Sequence, residues 1–447
     1  MKRRHNVVVA TIFIVGIIFL FARDQDDNQV GSRLRKPSHG FRHGYSSKAA
    51  PTQYATTFTT AQLPTSSPLE NTLPVGSPGF LPLPAGNPTS PEIPPSGEQL
   101  GLNDIPTPPS PNIELLPSEP QKESQPFEAE FPFQSDLQLD LPISTLKELG
   151  IYRPHNYSPD GPRSYAYATF MATRNPSIKD PYFLAIHSLI YRVLWSQRSR
   201  TQKYPFVVFV ADFVTLEQRQ LLAGAGAVVR ELAPLEWNPN TPGVQKRWKD
   251  LFAKLNMWKE TEFERILFLD ADAFPMTNID EMFDIAPIRS CEESKIQLDD
   301  FLPDRTPVCE PYIFAGVPQD PMKPIESDIN VGSMVFTPSE RMHQRLLQNY
   351  VKTDKYDCLM AEQAFLSWQF MSGGAFPASL LDRTWGGFFP QESEEGKFKV
   401  VHEKLWVATD GWMKKEWETT WSEMLTIYAS PDFSEARKQD GPVAQGQ

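Results

Sequence analysis

From about position 160 onward, apolar positions alternate between short continuous runs and stretches with helical spacing. SYAYATFMA, from Ser164 to Ala172, predicts a strand. Between Asp180 and Arg198, Phe183, Ile186, Ile190, Val193 and Leu194 share one helical face, with Asp180 placed to cap it. FVVFVA (Phe206 to Ala211) predicts a buried parallel strand, Thr215 to Ala223 a helix ended by Gly224, and Ala227 to Leu232 a further strand. This β-α-β-α-β order predicts an α/β sheet. A helix over Lys246 to Glu260 would bury Trp248, Leu251, Phe252, Leu255 and Trp258, and it runs into a strand from Arg265 to Leu269. After Asp284 the pattern dissolves into a polar, Pro-containing stretch up to Asp328, read as an insertion or long loop. Regularity returns with a strand from Asn330 to Phe336. A capping box over Thr337 to Glu340, with Pro338 first in the helix, then opens a helix to about Tyr350. A helix over Ala361 to Met371 and a strand from Lys397 to Val401, ending at His402, complete the pattern.

Composition confines this pattern to the later part of the chain. Of 43 Pro in 447 residues, about half precede Ile143, and the segment before it has few apolar residues, so it cannot offset the entropy of ordering. The expected organisation is a cytosolic tail (1–6), a transmembrane signal anchor (7–22), a disordered Pro/Ser/Thr-rich stalk (23–142), a catalytic domain (143–432) and a disordered tail (433–447). The apolar run from Val7 to Ala22 follows Lys2, Arg3 and Arg4; as a helix it would span about 24 Å against a bilayer core of about 30 Å. The rival is a cleaved signal peptide, which a cut after Ala22 serves poorly because Leu20 would stand where a small residue is wanted. The stalk would suit O-glycosylation or serve as a plain spacer, and Asn156-Tyr157-Ser158 is a sequon. A net charge of -12 argues against nucleic acid as a partner. Three Cys exclude a disulfide-built scaffold, although Cys291 and Cys309 could pair in an oxidising lumen and leave Cys358 over.

The chemistry concentrates at one strand end. Asp270-Ala271-Asp272 follows the apolar run RILFL, and open α/β sheets bind ligands at the carboxyl ends of their strands. Two carboxylates one residue apart project on the same side of an extended chain and can hold an oxygen-preferring divalent cation. His402 offers a nitrogen ligand, which tilts the choice from Mg²⁺ toward Mn²⁺.

ILFLDADAFPMTNIDEMFD, from Ile266 to Asp284, resembles the metal-binding core of glycosyltransferase family 8, the family of glycogenin and bacterial galactosyltransferases. DLFAKLNMW (Asp250 to Trp258), NVGSMVFTPS (Asn330 to Ser339), AEQAF (Ala361 to Phe365) and VVHEKLW (ending at Trp406) are similar to further family segments in the same order. The resemblance covers roughly Tyr165 to Trp406 and implies a GT-A fold: α/β, with a mostly parallel Rossmann-like sheet flanked by helices. It implies a retaining transferase, fungal-type and membrane-anchored, that moves GlcNAc, glucose or galactose from a UDP-sugar to a glycan acceptor. Asp270, Asp272 and His402 would hold Mn²⁺ (or Mg²⁺) against the donor diphosphate. Met171, Ala172 and Thr173 would lie against the uridine, Lys254 would meet donor hydroxyls or phosphate, and Ala271, Asn330, Gly332 and Lys404 would complete the donor site. Glu362 or Gln363 would line the reacting face, and Trp385 and the aromatics near Tyr312 could stack on an acceptor sugar. Departures are Glu362 where the family often has Asp, Leu359 where glycogenin has a second Asp, and a compressed spacing from His402 to Lys404 and Trp406. Anchor, stalk and resemblance together give a single-pass type II Golgi enzyme with a luminal catalytic domain. The alternatives are a GDP-mannose-dependent mannosyltransferase, a catalytically inactive glycan-binding relative, and a cytosolic self-glucosylating primer.

Overall fold

The computed structural model describes residues 127–159, 161–319 and 328–443. The expected cytosolic tail and anchor, and the stalk as far as residue 126, lie outside the described residues. Among the described residues no helix is long and apolar enough to cross a membrane.

In chain order the elements are α1 (Ile143–Leu149), β1 (Ser164–Met171), α2 (Pro181–Ile190), β2 (Phe206–Val210), α3 (Leu216–Gly224) and β3 (Val228–Glu231). After a 3₁₀ segment, Lys246–Lys259, come β4 (Phe263–Leu269), β5 (Ala273–Pro275), α4 (Met282–Ile285), β6 (Phe314–Pro318) and β7 (Ile329–Phe336). The rest is α5 (Glu340–Asn349), α6 (Ala361–Gln369), β8 (Ser379–Leu380), β9 (Gly387–Phe388), β10 (Val400–His402), α7 (Gly411–Tyr428) and α8 (Pro431–Gln439).

Seven strands form one sheet in the order β3-β2-β1-β4-β7-β6-β8. β3, β2, β1 and β4 are parallel, β7 runs antiparallel to both β4 and β6, and β8 is parallel to β6. The expected α/β fold with a mostly parallel sheet is therefore the one found. β2 is buried along its whole length, as a continuous apolar run covered on both faces should be, and β7 is buried throughout although it carries Asn330, Gly332 and Ser333. Ala168 of β1 sits opposite Phe268 of β4, so the carboxyl ends of these two central strands lie side by side. A second sheet, β5-β10-β9, stands beyond that edge.

Several boundaries differ from expectation for identifiable reasons. Asp180 caps α2 by accepting from the Phe183 amide at 2.8 Å, but the helix gives way at Tyr191–Trp195 to a π turn before Arg198. The helix expected at Lys246 is wound as 3₁₀. α5 is capped by Ser339, whose hydroxyl accepts from the Met342 amide at 3.1 Å, so Pro338 precedes the helix. The polar stretch 285–328 is not one loop: it carries the Cys291–Cys309 disulfide, with Cα atoms 5.3 Å apart, and the buried strand β6. Cys358 is free and buried. The expected tail 433–447 begins inside α8, where Phe433 and Arg437 are buried and Arg437 donates to the Arg153 carbonyl at 2.8 Å. Likewise 127–142, expected as stalk, packs on the domain: Leu141 is buried, and the Leu137 amide donates to the Lys179 carbonyl at 2.9 Å.

Two predictions follow from this packing. Gly224 ends α3 against α1, and a Cβ there would stand 2.0 Å from the Leu146 carbonyl oxygen. Backbone cannot yield as a side chain can, so Gly224→Ala should lower stability by about 2–3 kcal/mol, read as a lower thermal midpoint of the purified chain. The second concerns Glu416 of α7, which accepts from Arg192 at 2.7 Å and from Arg198 at 2.5 Å. Burial alone would raise its carboxyl, but the hydrogen bonds and charges of the two arginines outweigh burial and hold it at about 2. A depressed carboxylate stabilises the fold above its unfolded value near 4.5 and loses that contribution as pH falls toward 2. Acid unfolding of Glu416→Gln should accordingly show a flatter dependence across that window, by up to about 3 kcal/mol.

Candidate active site

The site grows from the turn that follows β4. The Asp270 amide donates to the Gly332 carbonyl of β7 at 2.8 Å, and the Ala273 amide donates back to the Asp270 carbonyl at 2.8 Å, which starts β5. β5 pairs antiparallel with β10, placing His402 opposite Ala273. The Glu403 amide donates to the Asp272 carbonyl at 2.9 Å, so β10 is fastened to the Asp-x-Asp turn itself. Two strands of three residues thus bring together side chains 130 positions apart.

One ligand atom from each of Asp270, Asp272 and His402 lies within 4.8 Å of the others. His402 Nε2 is 3.2 Å from Asp272 Oδ1 and 3.8 Å from Asp270 Oδ2. His402 Nδ1 is buried without a hydrogen-bond partner, which leaves Nε2, aimed at the carboxylates, as the nitrogen with work to do. Gly332 makes room for the ring, since a Cβ there would stand 2.0 Å from His402 Cε1. One imidazole nitrogen and two carboxylates on a shared cradle fit a divalent transition metal.

Two lysines hold the carboxylates from outside. Lys254 Nζ donates to Asp270 Oδ1 and to Glu362 Oε1, each at 2.9 Å, from a position that is almost wholly buried. Lys404 Nζ donates to Asp272 Oδ2 at 2.8 Å. Neither lysine rests on a solvated face. Burial opposes the charge on Lys254, yet Asp270 and Glu362 outweigh it and raise its pKa above the ordinary ammonium value. Burial also opposes ionisation of Asp272, but Lys404 and His402 hold it well below the usual carboxylate range. For His402, burial is outweighed by the Asp272 hydrogen bond and the two carboxylate charges, so its pKa is raised. A metal bound at Nε2 would therefore have to displace a proton.

The other expected residues fall around this cluster. Met171 is buried at the end of β1, and the Thr173 hydroxyl donates to Asp180 at 3.0 Å in the loop beyond. Ala271 is buried inside the turn. The Gly332 amide donates to Asn330 Oδ1 at 3.0 Å, and the Val331 amide to Gln363 Oε1 at 3.3 Å, so Asn330 and Gln363 grip the backbone of β7. Glu362 is the second residue of α6, after Ala361, whose φ of +47° is a conformation that favours Gly and marks strain at this edge. Two expectations are corrected. Tyr312 is buried, its hydroxyl donating to the Pro377 carbonyl at 2.8 Å, and Trp385 is buried with Lys399 Nζ 4.1 Å from its ring centroid. Both serve the core and neither offers a face to a sugar.

Tyr182, which the sequence did not single out, meets Trp406 edge to face at 5.3 Å beside Lys404. Burial is the largest cause that pushes the Tyr182 hydroxyl up to about 12, with the Asp272 charge adding to it and Lys404 opposing. The available signal was the position of Tyr182 two residues beyond the Asp180 cap, off the apolar face of α2.

No protein-family profile matches the chain. Among curated proteins, an uncharacterised protein of Schizosaccharomyces pombe is 24% identical over 303 residues, covering 60% of this chain and 81% of its own length. Galactinol synthase 7 of Arabidopsis thaliana is 27% identical over 266 residues, covering 55% of this chain and 74% of its own. Among solved structures, the glycosyltransferase GlyE of Streptococcus pneumoniae aligns at 14% identity and a TM-score of 0.37, over 59% of this chain and 63% of that one.

The cluster makes a direct prediction. Gly332→Ala should force the His402 ring out of its cradle and weaken Mn²⁺ binding by about 10- to 100-fold, measured calorimetrically, with the circular-dichroism spectrum retained. In sequence the chain is thus similar to galactinol synthases, and in structure it gathers Asp270, Asp272 and His402 on one cradle at the carboxyl edge of the sheet.

Proposed function

We propose that the chain is a metal-dependent retaining glycosyltransferase that moves a hexose or N-acetylhexosamine from a UDP-sugar to a glycan acceptor. The observation that carries this reading is the convergence of Asp270, Asp272 and His402 between two lysines at the carboxyl end of the sheet. An anionic diphosphate needs such a balance: carboxylates alone would repel it, and cations alone would bind phosphate without fixing its register. Asp270, Asp272 and His402 would hold Mn²⁺ or Mg²⁺, which when bound supplies Lewis-acid stabilisation of the leaving phosphate.

The protein's own groups do the rest. Lys254 ties Asp270 to Glu362 and so sets the spacing between the metal ligands and α6. Glu362, already shared with Lys254, is suited to accept a hydrogen bond from a donor hydroxyl, and Gln363 presents its carboxamide beside β7. Lys404 faces the phosphates, and the loop from Met171 to Thr173 receives the uridine. Retention would then follow either a covalent route on a carboxylate or a front-face route in which the leaving phosphate takes the acceptor proton.

The reading includes a single-pass type II placement in the Golgi membrane, with the catalytic part luminal. Its supports are the basic and then apolar order of the first 22 residues and the Cys291–Cys309 disulfide, which suits an oxidising compartment.

The test is nucleotide release and sugar transfer by the full chain with a panel of UDP- and GDP-sugars and Mn²⁺. Turnover with one UDP-sugar is expected, reduced by more than about 100-fold in Asp270→Ala and Asp272→Ala. Turnover with GDP-mannose alone would replace the donor, and no turnover together with no Mn²⁺-dependent nucleotide binding would contradict an enzymatic role.

A further inference from the structure

Residues 131 to 137 form a strap whose contacts converge on the site. Pro132–Gln134 is a single 3₁₀ turn, closed by Gln134, whose Oε1 accepts from the Phe131 amide at 2.9 Å. Asp136 then accepts from Asn175 Nδ2 at 2.8 Å and from the Ser177 hydroxyl at 2.6 Å. Both partners lie in the loop between β1 and α2, the same loop that carries Thr173. Phe133, at the centre of the strap, stacks on Phe131 at 5.3 Å, has Arg247 5.6 Å from its ring centroid, and makes three further contacts toward the site. Its carbonyl accepts from Trp406 Nε1 at 3.2 Å, its ring centroid lies 5.3 Å from Lys404 Nζ, and its ring meets Tyr182 edge to face at 6.4 Å. Lys404 in turn reaches Asp272 at 2.8 Å. One aromatic side chain from outside the expected domain is thus two contacts away from a candidate metal ligand.

A long ammonium side chain has many rotamers, and a single carboxylate does not fix its direction. An aromatic face on the other side does, because the ring quadrupole attracts the cation and the ring's bulk excludes other rotamers. The same ring stops Tyr182 from swinging away from Trp406. We propose that Phe133 is a positioning residue of the donor site, fixing Lys404 and Tyr182 where they meet the donor's diphosphate and nucleoside, so that the strap is a working part of the transferase. This rests on the reading of the Asp-x-Asp cluster as a donor site. It goes further in assigning function to a segment that composition marks as stalk.

The experiment compares the full chain with Phe133→Ala, Phe133→Tyr and Asp136→Ala. It reads the dissociation constant of UDP in the presence of Mn²⁺ by calorimetry, the donor KM and kcat, and the thermal midpoint. For Phe133→Ala the expected result is about tenfold weaker UDP binding and a donor KM raised by a similar factor, with kcat changed less and the midpoint within a few degrees. Phe133→Tyr should restore UDP affinity because it keeps the ring. Asp136→Ala, which frees the β1–α2 loop without touching Lys404, should weaken UDP binding by a smaller factor. Wild-type UDP affinity in Phe133→Ala would overturn the inference, as would a loss that Phe133→Tyr does not restore. Should Phe133→Ala not fold, unchanged UDP affinity in Asp136→Ala overturns it and weakened affinity supports it. A wild-type chain that binds no UDP with Mn²⁺ would remove the donor-site reading and the inference together, whereas normal wild-type binding that Phe133→Ala leaves intact removes the inference alone.

Discussion

Three carboxylates, Asp270, Asp272 and Glu362, crowd one end of the sheet, and everything around them answers the cost of keeping them there. Like charges a few ångströms apart in a half-buried site repel, and each has surrendered part of its hydration. Lys254 compensates from below and Lys404 from the side, while His402 sits between the two aspartates. This balance explains why Lys254, on a segment that could have faced solvent, is buried. It also explains why β10 must arrive beside the Asp-x-Asp turn, since without His402 and Lys404 the turn would hold Asp272 uncompensated.

The backbone meets this electrostatic demand at specific points. β7 crosses the end of β4 in the antiparallel sense, and its Gly332 leaves the space that the His402 ring fills. β5 and β10 are too short to be stable as a separate ribbon, and they persist because the larger sheet and α7 pack beside them. The strain at Ala361 falls at the residue that delivers Glu362 to Lys254, so the cost of that conformation is borne where it positions a charge. Sequence, topology and electrostatics thus agree on one location, the carboxyl edge where open α/β sheets bind their ligands.

What the sequence disclosed follows from the length scale of each signal. Buried parallel strands such as Phe206–Val210, and the inner half of β4 from Ile266 to Leu269, are continuous apolar runs, legible without any partner, and the strand-end position of Asp270 and Asp272 came with them. β5 and β10 are three residues each and draw their hydrogen bonds from one another, so nothing local distinguishes β5 from a turn. β6 was hidden because FAGVP, with its Gly and Pro, reads as loop until β7 is beside it. α8 contributes only Phe433 and Arg437 to the buried interior, and a buried Arg whose partners are carbonyls far along the chain has no sequence signature. The strap was misread for the same reason: its few apolar residues are anchored by Trp406, Tyr182 and Lys179, which lie from about 40 to 270 positions away. Tyr312 and Trp385 erred in the other direction, because abundant aromatics are mostly core and only burial tells which.

His402 Nε2 and the two aspartates, as one metal site, would bind Mn²⁺ through nitrogen and oxygen together. Electron spin-echo envelope modulation of Mn²⁺ bound to the full chain in the presence of UDP tests it most directly. A directly coordinated nitrogen is expected that disappears in His402→Gln, with the manganese signal weakened in Asp272→Asn. Bound manganese with oxygen ligands alone, or a nitrogen signal that survives His402→Gln, would contradict it.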